Sequence, residues 1–115
     1  MATLTAIKAA NYDITYYNAD SYDLSVTITD QDGSAVDLSG DTLTMTIKKK
    51  KTNTTAVATL STASEIAVSG ASNNVVTISF NIDLDERSYY YDLYNNTDDD
   101  TIMYGMFIVT GEVHA

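Results

Sequence analysis

A chain of 115 residues has room for one domain and no second, and at this size folding buries roughly two-thirds of the unfolded surface. The absence of cysteine excludes disulfides, iron–sulfur clusters and thiol catalysis together. With 16 acidic residues against 6 basic ones the formal charge is -10, which repels a phosphate backbone and argues against a nucleic-acid partner.

No basic-then-apolar leader opens the sequence and no apolar run reaches the roughly 18 residues of a membrane helix, so a protein made soluble, with no membrane partner, is expected. Threonine, serine, tyrosine, valine and isoleucine are abundant, proline is absent and glycine scarce, a mixture that favours strands over helices. The fold class read from this is all-β.

Residues 1–11 are read as an N-terminal arm, since Leu4 and Ile7 stand three apart, a spacing that suits one helical turn or an irregular segment equally. A short strand is predicted from Tyr12 to Tyr17, closed by the turn-forming Asn18, Asp20 and Ser21. Tyr22, Leu24, Val26 and Ile28 then alternate with Asp23, Ser25, Thr27 and Thr29, the pattern of a half-buried antiparallel strand. Asp30 to Ser34 make a tight turn in which Gly33 supplies positive φ. A calcium loop there would need a glutamate at the twelfth position, where Asp41 stands. A short extended piece through Val36 and Leu38 leads to a second clean strand, Leu43, Met45 and Ile47 against Thr42, Thr44, Thr46 and Lys48. Ala56 to Leu60 and Glu65 to Val68 are weaker strands, 69–74 is a loop, and Val76, Ile78, Phe80 and Ile82 restore the alternation. Leu84, with Asp83, Asp85 and Glu86, bends the chain into a strand on which Tyr89, Tyr91 and Leu93 face one way and Tyr90, Asp92 and Tyr94 the other. An acidic loop around Asp98, Asp99 and Asp100 precedes the last strand, Ile102 to Val109, and 111–115 is a tail. Roughly seven to nine short strands at this spacing predict an antiparallel β-sandwich over 12–110.

The stretch from Leu84 to Tyr91 resembles the immunoglobulin-type approach to strand F, in which an acidic residue precedes a buried tyrosine two places before the second cysteine. The resemblance implies that Tyr89 is the corner tyrosine, its hydroxyl bonded to main chain at the bend, and that Tyr91 occupies the cysteine position; Arg87 stands where glycine or alanine is usual. A longer resemblance, from about Asp13 to Val113, runs through Leu24 to Asp30, Asp32 to Gly40, Leu43 to Ile47, Ser88 to Leu93 and Tyr104 to Val109. In order of elements these are similar to the small immunoglobulin-like modules of tailed-bacteriophage virion proteins, the N-terminal domain of baseplate upper proteins among them. That resemblance implies a non-enzymatic, multi-copy structural part of the virion, made in the host cytoplasm, with no catalytic or ligand residues to carry over.

The residues themselves offer little chemistry. The single histidine, His114, lies beyond the last strand, where no geometry with a base or metal is fixed. Asp98 to Asp100 read as a solvated loop, Asp83 and Asp85 as turn formers rather than a glycosidase pair, and Lys48 to Lys51 as a solvated strand end guarding an edge rather than an anion site. No catalytic residue, metal site or cofactor is expected.

The outward tyrosines are the functional lead. If Phe107 and Val109 point inward, Tyr104, Met106 and Ile108 point outward beside Tyr90 and Tyr94, because the last two strands of such a sandwich are sheet neighbours. An aromatic and aliphatic patch of this kind marks a partner surface, unless Leu4 and Ile7 of the arm fold back over it. A bulge at Gly105 would exchange the two faces beyond it. The function expected is a capsid-decoration or head accessory protein binding other virion proteins in symmetric copies, since baseplate modules anchor a longer region and this chain runs only about six residues past its last strand. A tail or baseplate accessory subunit is the alternative, and a carbohydrate-binding module, with tyrosines stacking on a glycan, the alternative of another class.

Overall fold

Alternation in the sequence becomes alternation in burial. The computed structural model describes residues 2–7, 10–18, 21–52 and 54–111, the first segment as backbone only. Along it run β1 (Ala2–Ile7), β2 (Ala10–Asn11), β3 (Ile14–Tyr17), β4 (Tyr22–Thr29), β5 (Leu43–Lys48), β6 (Ala58–Ser61), β7 (Ile66–Ser69), β8 (Val75–Phe80), β9 (Ser88–Asn95) and β10 (Asp100–Thr110). Leu43, Met45 and Ile47 of β5 are buried while the threonines between them are half-buried, and β8 and β9 repeat the pattern. No helix occurs among the described residues.

The strands form two sheets, one in the order β1-β4-β8-β7 and the other β10-β9-β5-β6, with β2 and β3 both laid along the outer side of β10. The order β4-β8-β7 is B-E-D of an immunoglobulin sandwich and β10-β9-β5 is G-F-C, with β6 in the added C′ position. The chain is therefore an all-β, immunoglobulin-like antiparallel sandwich. Apolar residues from both sheets meet in one core from Ile14 to Val109. At its centre Phe80 lies 5.7 Å from Tyr16 and 5.4 Å from Phe107, ring to ring, joining β8 of one sheet to β3 and β10 of the other. The Tyr16 hydroxyl donates to the Ile82 carbonyl and accepts from the Ile82 amide, so a buried polar tip is satisfied twice.

Two expectations are corrected. Within the expected arm the described residues form two edge strands: Ala2–Ile7 (β1) runs parallel to β4 and Ala10–Asn11 (β2) parallel to β10. Edge pairing depends on the open side of a neighbouring strand, which local spacing does not report. The register shift of β10 falls between Thr101 and Met103, so that Ile102 and Met103 are both buried, and not at Gly105. Gly105 has another cause: a side chain there would place its Cβ 2.4 Å from the Tyr12 carbonyl oxygen, where the β2–β3 connection crosses β10. Beyond the register shift Phe107 and Val109 are buried, and Tyr104, Met106 and Ile108 face out, which is the first of the two registers the sequence left open.

The tyrosine corner is formed. The Tyr89 hydroxyl donates to the Asp85 carbonyl at 2.9 Å, and burial with the nearby Asp85 charge raises the Tyr89 pKa. Arg87 at the usually small position is accommodated because its guanidinium lies over the Tyr89 ring, 5.5 Å from the centroid.

Candidate functional site on the outer face of the six-stranded sheet

The antiparallel registers of β5, β9 and β10 fix which outward side chains are neighbours. Lys48, Tyr90 and Met106 form one row across the sheet, Thr46, Asp92 and Tyr104 the next, and Thr44, Tyr94 and Thr101 a third. The first two rows, with Asn11 at the end of β2, Asp13 from the β2–β3 connection and Lys51 from the turn after β5, line a groove of about 590 Å³. That volume falls within the range of small-ligand and side-chain pockets, roughly 300–1,000 Å³.

Each wall has a local reason. Asn11 and Asp13 are held against β10 because the Tyr12 amide donates to the Tyr104 carbonyl and the Asp13 carboxylate accepts from the Met106 amide. From inside the sandwich the Tyr91 hydroxyl donates to the Tyr12 carbonyl. Burial, with the charges of Asp13 and Tyr12 adding to it, pushes the Tyr91 hydroxyl far above the ordinary tyrosine value. It is a hydrogen-bond donor at any physiological pH. Opposite, Lys51 places its ammonium 5.3 Å above the centre of the Tyr90 ring.

Asp92 sits between these walls. It is half-buried, and burial raises its carboxyl pKa against the lowering influence of Lys48. Tyr104, 40% exposed, offers the freest aromatic ring of the groove. The groove thus combines two ring faces and a thioether with two carboxylates and two ammonium groups, a surface suited to binding.

The structure brings together three of the residues singled out in the sequence, Tyr90, Tyr104 and Met106. Tyr94 lies one row beyond and turns its hydroxyl to Asp99, a bond that raises its pKa. Ile108 faces outward at the far end of β10, outside the groove lining. Leu4 and Ile7 belong to β1 in the other sheet, where the register sets them beside Val26 and Thr29, so the backbone of β1 does not cover this face. Their side chains lie outside the described residues, as does His114. The patch expected as contiguous and apolar is therefore divided by Asp92 and flanked by lysines.

Sequence reading placed Asp92 and Lys48 on outward positions without joining them to a site, and gave Lys51, Asn11 and Asp13 no part in one. Only strand register reveals that they share a groove. In the acidic loop the Asn95 side chain amide donates to Asp41 and Asp98, organising the loop from within. Among the described residues no cluster of three or more His, Cys, Asp or Glu side chains could hold a metal ion, and no helix is long and apolar enough to cross a membrane. Compared with known proteins, the chain matches no protein-family model, and no curated protein matches it in sequence.

Proposed function

We propose that the chain is a non-enzymatic structural protein of a tailed-phage virion, a capsid-decorating or head accessory subunit that joins other virion proteins through the outer face of β5, β9 and β10. The observation that carries this reading is the placement of Tyr90, Tyr104 and Met106 around one groove on that face, on a sandwich whose other outward positions are mostly threonine, serine and charged side chains. The resemblance of Leu24 to Asp30, Ser88 to Leu93 and Tyr104 to Val109 to phage immunoglobulin-like modules supports the virion context. A tail or baseplate accessory subunit would use the same face for a different neighbour.

Tyr104→Asp and Met106→Asp test the proposal. Both side chains face outward, so each variant is expected to remain folded by circular dichroism while disappearing from purified particles in a complementation assay with mass-spectrometric readout. Incorporation of both at the native level would refute the interface.

One observation favours a second reading. Ring faces beside hydrogen-bond donors and acceptors, in a groove of about 590 Å³, also suit a saccharide. Saturable glycan binding by the isolated protein, lost in Tyr90→Ala and Tyr104→Ala, would replace the structural role by host-surface adhesion.

A further inference from the structure

We infer that the groove receives an arginine side chain of the partner protein, its guanidinium stacked on the Tyr104 ring and donating to the Asp92 carboxylate. The inference rests on the reading of this face as a binding surface and adds the chemistry of what binds there.

The two tyrosines of the groove are not equivalent. On β9 the Tyr90 ring already carries a cation, the Lys51 ammonium 5.3 Å above its centre. On β10 the Tyr104 ring is exposed, and among the described residues no cation lies over it. Its cross-strand partner is Asp92. Side chains so paired start about 4.5–5.5 Å apart, so ring and carboxylate face the same incoming group.

Asp92 supplies the second argument. It is half-buried, and what acts on its carboxyl is burial and the charge of Lys48. Among the described residues none donates a hydrogen bond to it, whereas Asp13 accepts from the Met106 amide and Asp99 from the Tyr94 hydroxyl. A partner seated on this face must therefore bring a donor, because covering a carboxylate without one leaves its lost hydration unreplaced.

An ammonium answers either the ring or the carboxylate. A guanidinium answers both at once, since its planar fork bonds two carboxylate oxygens while its face stacks on an aromatic ring. The formal charge of -10 draws a basic partner to the chain. Lys48 and Lys51 belong to the β5 side of the groove and Tyr104 and Asp13 to the β10 side, so an arginine entering over β10 meets Asp13 first and the lysines last.

Titration of N-acetylarginine amide into the isotope-labelled protein, read by NMR, tests this. Saturable shifts at the Asp92 carboxyl and the Tyr104 ring are expected. Asp92→Asn should weaken binding about tenfold and Tyr104→Leu about threefold, with amide spectra showing that both outward variants remain folded. The neutral isostere N-acetylcitrulline amide should bind about tenfold more weakly than the arginine compound. Equal binding of the two compounds, binding indifferent to Asp92→Asn, shifts confined to the acidic loop at Asp98 to Asp100, or no saturable binding at all overturns the inference. The titration uses the isolated protein, so it fails separately from the interface. Exclusion of Tyr104→Asp from particles without arginine binding refutes the arginine alone, and native incorporation with arginine binding intact refutes the interface alone.

Discussion

The two faces of β9 carry the same residue type to different ends. Tyr89 and Tyr91 point inward, and each spends its hydroxyl on a main-chain carbonyl, Asp85 for the first and Tyr12 for the second. Tyr90 and Tyr94 point outward, and their partners are charged side chains, Lys51 over one ring and Asp99 at the other hydroxyl. A main-chain partner is part of the fold and is fixed with it. A charged surface partner can be exchanged for a group on another molecule at little cost, because exposed pairs contribute only about 0–1 kcal/mol. Inward tyrosines therefore define the shape of the sandwich, and outward ones define what that shape can meet.

The contrast predicts a graded series. Phe107→Ala, which empties the ring cluster with Tyr16 and Phe80, should cost the most, about 3–5 kcal/mol in chemical denaturation. A value below 1 kcal/mol would mean that the two sheets do not share the core described. Gly105→Ala should cost roughly 2–3 kcal/mol, since its Cβ would lie 2.4 Å from the Tyr12 oxygen and backbone must move to admit it. Amide exchange should then accelerate at Tyr12 and Met106 before the rest of β10. Tyr89→Phe, which keeps the ring and deletes the corner bond to Asp85, should lose about 1 kcal/mol and leave the groove unaltered.

Asp92→Asn is expected to act in the opposite direction and by the least. Burial raises the folded carboxyl pKa above its unfolded value, so the folded state binds the proton more tightly than the unfolded state. The charged form is thus destabilising near neutral pH, and that penalty fades as the pH falls through the raised pKa. Removing the charge should raise stability at pH 7 by less than about 1 kcal/mol, with the advantage vanishing in acid. A variant less stable than the parent at pH 7 would show that Asp92 belongs to the fold rather than to the groove.

The inner face was legible in the sequence because period-two alternation reports directly on burial. Leu24, Val26 and Ile28, or Leu43, Met45 and Ile47, declare their side without knowledge of any neighbour. For Phe107 and Val109 the rule left two registers open, since a bulge at Gly105 would have exchanged the faces, and the strand pairing decides for the inward one. Tyr16, one of the largest buried side chains, was not identified as core, since the tyrosines at positions 12, 16 and 17 give no alternation to follow. The groove was only half legible for a different reason. Lys51 reaches Tyr90, and Asp13 reaches Met106, through pairings between distant segments that no local pattern encodes. The β1–β4 pairing was hidden in the same way, as it depends on the open side of β4.

The Tyr91 hydroxyl reaches a carbonyl on the β2–β3 connection, whose neighbours Asn11 and Asp13 form one wall of the groove. A mostly buried side chain thus acts as a tie rod for a wall of the groove. Tyr91→Phe would leave every other lining residue unchanged in sequence and still let that wall drift, broadening what the groove admits.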